Sequence, residues 1–258
     1  MASSSNATSS TSITGLDPNA AISFYFQDPE WKFKTALGSL LICSALLLVL
    51  SGKFFLPMLP VAFLIWSVVQ GYVLRLMRTI VQGTDQTLPA WNDWLELVVS
   101  GLTWLAIVTG QLMVMASVVT LSLLIGGRYG LVNPFAPHFK AWFLVSILAL
   151  ALTTFMTSFF FPLLMVNFAE QEKVLSALSM SEALKRLMRR PREYFTVWLL
   201  SVGIFWLAVI LPALTIFGII FIPLGLFLTN TINAIMLAQV WRASAAGVIA
   251  TSTTATAQ

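Results

Sequence analysis

Apolar residues run along this chain in long blocks, and charged residues stand almost only between them. A helix needs about 20 apolar residues to cross about 30 Å of hydrocarbon, so each uncharged block predicts a span. Thr35 to Gly52 carries no charge and predicts a first, short helix. A tight Ser51–Gly52–Lys53 turn leads into a second from Phe54. Residues 97–127 are uncharged and would reach ~46 Å as one helix, so the third span must tilt, break at Gly126–Gly127, or protrude. Ala141 to Ala169 predicts a fourth. The longest block, Tyr194 to Trp241, would measure ~72 Å as one helix and must cross twice. Gly218 and Pro223 mark the turn.

The expected fold is therefore all-α: a polytopic membrane protein of six transmembrane helices arranged as three hairpins. The spans cover about residues 35–52, 54–76, 95–125, 141–169, 192–216 and 220–242, within a membrane domain of residues 26–244. Residues 1–25 and 245–258 read as disordered tails, the first rich in Ser and Thr. Residues 1–20 hold no basic residue and no apolar core, so neither a transit peptide nor a cleaved signal is read there.

Composition agrees with this class. The chain is 58% hydrophobic and 9% charged, where a soluble domain is about a quarter charged. Net charge is +4, a sign shared with nucleic-acid binders. Orientation explains it without a nucleic-acid partner. With the N-terminus inside, eleven Lys and Arg residues fall on the inner face and only Lys53, Arg128 and Lys140 outside. All ten carboxylates fall inside as well. The expected site is the cell membrane, with N- and C-termini cytoplasmic. Odd-numbered spans are preceded by a proline and an aromatic (Pro29 and Trp31, Pro89 and Trp91, Pro191 and Tyr194), consistent with three related hairpins or with common habits of helix entry.

Between the second and third spans, Arg75 and Arg78 lie three apart at one helix end, and Asp93 and Glu96 three apart at the next start. Helix dipoles favour arginine and carboxylate at those ends, and the turn from Gly83 to Pro89 can bring them together. The reading is a clamp on the hairpin; a site for a polar or anionic ligand is the alternative. Gly71, Tyr72, Arg75, Arg78, Gly83, Leu88, Pro89, Trp91, Asp93, Trp94 and Gly101 follow a G-Y-x-x-R-x-x-R … L-P-x-W-x-D-W order. That order resembles a bacterial and archaeal membrane family defined only as a domain of unknown function. The resemblance, which extends in hydropathy along roughly residues 26–245, implies the architecture and no activity. Ser179 to Leu200 also resembles helices of related multi-pass families, one of which accompanies glycerophosphodiesterases as their membrane domain.

Ser179 to Glu182 fits a capping box, starting a helix that Pro191 stops. Ala183, Leu184, Leu187 and Met188 share one side; Lys185, Arg186, Arg189 and Arg190 turn to the other, with Arg192 beyond. This predicts a short amphipathic helix on the cytoplasmic interface, its bases against anionic lipid headgroups. Within the spans, Asn167, Asn230 and Asn233 are the notable amides, suited to interhelical hydrogen bonds or to a solute pocket. Pro57, Pro60, Pro162 and Pro212 are expected to kink their helices.

No catalytic residue, metal set or cofactor motif is found, and the lone His138 lies far from every carboxylate in this topology. The expected protein is not an enzyme. It reads as a scaffold, assembly or regulatory protein with lipid and membrane-protein partners. Alternatives are a permease-like transporter of a neutral or lipophilic solute, or a membrane accessory domain in lipid metabolism. With Cys43 replaced by serine, an impermeant thiol reagent outside whole cells is expected to label Lys53→Cys and Asn133→Cys and to spare Met180→Cys. Labelling at position 180 would reverse the orientation.

Overall fold

In hydrocarbon a backbone has no water to bond, so a crossing segment closes its own hydrogen bonds as a helix. The computed structural model describes residues 17–50, 52–84, 87–129, 133, 135, 137–174, 179–215 and 218–255, with backbone only at 53 and 246–255; among these it contains no strand. In order come α1 (Pro18–Gln27), α2 (Trp31–Val49), a 3-10 turn (Gly52–Phe54), α3 (Phe55–Gln82), α4 (Trp94–Arg128) and α5 (Phe139–Gln171). Then follow α6 (Met180–Leu187), α7 (Pro191–Phe205) and α8 (Ile222–Ala255). Among the described residues, six segments are long and apolar enough to cross a membrane: Trp31–Val49, Phe55–Gln82, Trp94–Arg128, Phe139–Gln171, Pro191–Ala213 and Gly218–Ala245.

Several expectations need correction. The N-terminal tail expected through residue 25 ends earlier, because α1 begins at Pro18. Asp17 caps that helix, accepting from the backbone N–H groups of Asn19 (2.9 Å) and Ala20 (3.1 Å), and proline suits the first turn. Ala21 and Tyr25, one turn apart, are fully buried. At the other end the helical backbone runs to Ala255, where a tail from 245 is expected. The parts of both tails at residues 1–16 and 256–258, and Ser51 of the predicted turn, lie outside the described residues. The third helix does not break at Gly126–Gly127. It continues to Arg128, and Gly126 makes room for the ring of Trp142; a Cβ there would stand 2.5 Å from it.

Pro60 and Pro162 lie inside α3 and α5 without ending them, and Pro57 falls in the first turn of α3. Pro212 acts differently. Having no N–H, it leaves the Ala208 carbonyl without its helical donor, and the helix widens into a π turn over Trp206–Ile210. Gly225 packs on that carbonyl, where a Cβ would lie 2.0 Å from the oxygen.

α3 is the central helix and packs on α2, α4, α5 and α8. Its crossing with α4 is built on two glycines. A Cβ on Gly101 would stand 1.7 Å from the Ser67 carbonyl oxygen, and one on Gly71 2.0 Å from that of Leu97. Around the crossing Tyr72, Val69, Ile42, Leu97 and Phe227 form one buried cluster. A larger cluster, including Leu76, Trp104, Leu163, Tyr194 and Ile235, fills the lower bundle. Beyond this region α4 and α5 leave the bundle together, joined by a Ser122–Ser146 hydroxyl pair at 2.6 Å. Leu112, Leu121, Leu124, Leu144 and Leu148 are exposed there.

Gly101→Ala and Gly71→Ala force the two backbones apart, an overpacking cost of roughly 1–3 kcal/mol each. A clear drop in melting temperature in detergent is expected for both. Gly203→Ala, where an added Cβ meets nothing within 4 Å, is expected to melt at or above the parent.

Candidate functional site: a cavity over a paired-charge floor

One end of the bundle carries most of its charge, and most of the charges there are partnered within the protein. Asp28 and Lys34 are both buried and pair at 2.9 Å. Asp28 Oδ2 also accepts from the Leu88 backbone N–H at 2.9 Å, and Lys34 Nζ donates to the Leu88 carbonyl at 2.8 Å. Two buried charges thus bind both polar groups of one loop residue, and Pro89 follows directly. The Trp91 indole N–H donates to the Lys34 carbonyl at 3.3 Å. The Tyr25 hydroxyl bonds to that of Thr35 beside this pair. Burial pushes Tyr25 up to about 12; the Thr35 bond opposes that rise and the Asp28 charge adds to it. The sequence reading missed Asp28 and Lys34, because their joint partner lies 54 to 60 positions away.

The second cluster joins α3, α4 and α5. Arg75 reaches Glu96 at 2.9 Å and Asp93 at 3.8 Å, and donates to the Asn92 side chain at 2.6 Å. Arg78 reaches Glu96 at 3.3 Å and Glu172 at 2.8 Å. The residues expected to cross-pair do meet, and Asn92 and Glu172 complete them. Asp93 (φ 51°) and Glu172 (φ 57°) are the non-glycine residues in the left-handed region among those described. Both flank helix ends, and both carboxylates pair with the α3 arginines. Gly83, also left-handed (φ 68°), ends α3, and a Cβ there would stand 2.6 Å from the Arg242 guanidinium.

The third cluster joins α5, α6 and α8. Arg186 pairs with Glu170 at 2.9 Å and lies over the Trp241 ring, while the Trp241 N–H donates to Glu170 at 3.1 Å. Arg189 donates to the Ser244 carbonyl at 3.4 Å, and Arg190 pairs with Glu193 at 2.8 Å. Lys185 and Arg192 are exposed. Three of the five bases expected against headgroups are thus turned to the protein, because fixed carboxylate and carbonyl partners stand within reach. α6 buries Ala183 and Leu187 against the bundle and exposes Leu184 and Met188. Ser179 makes no capping bond, so the expected capping box does not form.

Above this floor the helices enclose a cavity of about 330 Å³. Its walls come from α3 (Trp66, Gln70, Val73, Met77), α4 (Trp104, Val108), α5 (Phe161, Pro162), α7 (Tyr194, Trp198, Ser201) and α8 (Asn230, Asn233, Leu237). The residues nearest the charged end, Met77, Tyr194 and Leu237, are buried. Those at the far end, Trp66, Val108, Ser201 and Asn230, are half-buried, as are Phe161, Met165 and Trp198 along α5 and α7, so the cavity is closed toward the charges and open at its far end and along its α5–α7 side. Among the described residues, no Asp, Glu, Lys, Arg or His lines it. Asn233 Oδ1 is buried without a hydrogen-bond partner among the described residues. Asn167 does not join it. Fully buried, Asn167 accepts from the Gln171 amide at 3.1 Å and donates to Ser179 at 3.4 Å. Tyr72, Trp91 and Trp94 stand outside the cavity as a stack, the first two rings 4.0 Å apart and nearly parallel.

Fold and site define, over the described residues, an all-helical protein with six membrane-length helices, five of which line an uncharged cavity. The chain belongs to DUF4013, a family described as protein of unknown function, whose match spans residues 54–220. That match takes in α3 to α7, and α8 with Asn230 and Asn233 lies beyond it. No curated protein and no solved structure matches the chain.

Lys34→Met leaves the Asp28 carboxylate buried and unpaired, at a cost of about 3–5 kcal/mol. A large fall in melting temperature is expected. Adding Asp28→Asn is expected to recover part of it; strictly additive losses would show that the two residues are not coupled.

Proposed function

We propose that this protein is a non-catalytic, multi-pass membrane protein that binds an uncharged, lipophilic molecule in the cavity between α3, α4, α5, α7 and α8, as a permease-like carrier does. The observation that carries this reading is the cavity itself. At about 330 Å³ it falls in the range of small-molecule pockets, roughly 300–1,000 Å³, with aromatic walls and a few amides, the usual mixture for binding. Its mouth faces away from the paired charges, so a ligand enters from the apolar side. Buried charge in the lining would have argued for an ion or proton route, and among the described residues there is none.

The finer topology belongs to the same proposal. The charged face is cytoplasmic, both termini lie on that side of the cell membrane, and the spans form three hairpins. α6 lies at the interface with Leu184 and Met188 toward lipid and Lys185 and Arg192 toward headgroups. A scaffold role is the weaker reading here, since it relies on displayed basic residues, and Arg186 and Arg190 are engaged with Glu170 and Glu193.

Trp104 and Trp198 in the walls report occupancy. A long-chain alkane carrying bromine atoms, a contact quencher, is expected to give a saturable component of tryptophan quenching in detergent-solubilised protein. Ala234→Trp and Val197→Trp each fill the cavity and are expected to remove that component while the protein still melts cooperatively. A saturable component unchanged by both substitutions would place the ligand elsewhere and overturn the proposal.

A further inference from the structure

Resting on the cavity as the working site, we infer that its occupant is a neutral lipid alcohol, seated with its hydroxyl toward Asn233 and its hydrocarbon chain leaving through the mouth. Charge on the ligand is the first thing the walls exclude. A phosphate or ammonium head entering a lining without Asp, Glu, Lys, Arg or His would be desolvated with no counter-charge. The nearby arginines give no help, since Arg75, Arg78 and Arg186 are already held by Glu96, Glu172 and Glu170.

A purely hydrocarbon ligand fits the walls but not their amides. Gln70 on α3 and Asn230 and Asn233 on α8 line the same space. Asn233 Oδ1 has no hydrogen-bond partner among the described residues, and a buried amide left so is costly unless something satisfies it. An amide offers both a donor and an acceptor. A hydroxyl is the smallest group that answers both, whichever way the amide is turned, whereas an ether or ester only accepts. Tyr194 does not compete for this role, because its hydroxyl donates to the Phe159 carbonyl.

Depth sets the polarity of the ligand along the bilayer normal. The buried end, with Met77 and Leu237, adjoins the charged face, and the half-buried rim lies about 16 Å away along α3, from Met77 to Trp66. Asn233 stands between the rim residue Asn230 and the floor residue Leu237 on α8. A lipid whose hydroxyl reaches Asn233 therefore points its head to the charged face and its chain to the bilayer interior. That is the orientation it already holds in the adjoining leaflet. Entry needs translation without a flip.

Four probes share one brominated long chain and differ at the end: a primary alcohol, its methyl ether, the plain alkane and the phosphate monoester. With tryptophan quenching as readout, the alcohol is expected to bind wild-type protein about three- to tenfold tighter than the ether, as one hydrogen bond allows. The phosphate ester is expected to show no saturable component. In Asn233→Leu the alcohol should fall to the affinity of the ether, with the ether little changed. Equal affinities of alcohol and ether for the wild type, a comparison that needs no variant to fold, would overturn the inference, as would tightest binding by the phosphate ester. Those results leave the cavity reading intact. Absence of saturable quenching by all four probes would remove the cavity reading and this inference with it.

Discussion

Where α3 crosses α4, the absence of two side chains decides the register of everything around them. Gly71 sits on the Leu97 carbonyl and Gly101 on that of Ser67, closer than any Cβ permits. Close backbone approach between apolar helices is favoured by small residues, since lipid offers no hydrophobic drive to bring them together. With the crossing set there, Arg75 and Arg78 lie one and two turns along α3 and face the first turn of α4, where Glu96 waits. The neighbouring positions of the same helices, Gln70, Val73 and Met77 against Trp104 and Val108, face each other across the cavity. Move the crossing by one turn and both the charge pairs and the cavity wall lose their partners.

The charged end behaves as a plug built from short-range pairs. Each of the three clusters crosses between elements distant in sequence, and each uses a carboxylate held from more than one side. Asp28 accepts from Lys34 and the Leu88 N–H, Glu96 from two arginines, and Glu170 from Arg186 and the Trp241 indole. Individually the half-exposed pairs are worth little, roughly 0–1 kcal/mol. Their common effect is geometric: they hold α1, α2, α3, α4, α5, α6 and α8 at one depth and close the cavity on that side. Asp93 and Glu172 adopt the left-handed region at helix ends and present their carboxylates to the same two arginines, a conformation that tertiary contacts must sustain.

At the opposite end little restrains the bundle. α4 and α5 extend past the cavity touching along one seam, with apolar side chains exposed on their other faces, and the helix that continues α7 widens at Trp206–Ile210 because Pro212 supplies no donor. Closed and charged on one side, open and apolar on the other, the cavity is matched to a ligand that belongs to the bilayer rather than to water. The unpartnered Asn233 oxygen is the polar feature that such a ligand has to answer.

Length and charge were enough to set the class of this protein. Hydrocarbon thickness demands long uncharged runs, so Tyr194 to Trp241 had to cross twice, and the placement of Gly218 and Pro223 marked where. The meeting of Arg75 and Arg78 with Asp93 and Glu96 was also legible, since a short turn joins two helix ends of complementary dipole. The cavity was not. Its lining follows helical spacing, as in Tyr194, Val197, Trp198 and Ser201 or Asn230, Asn233, Ala234 and Leu237. In water such a stripe would stand out against a polar face, but here the lipid-facing side is as apolar as the core, and periodicity carries no contrast. The amides were visible as residues, yet nothing in the chain separates Asn233, which lines the cavity, from Asn167, which ties α5 to Ser179. The Asp28–Lys34 pair and the inward turn of Arg186 depend on partners at Leu88 and Glu170, and only the tertiary structure brings those to them, because burial makes a charge seek whatever fixed partner the fold places nearest.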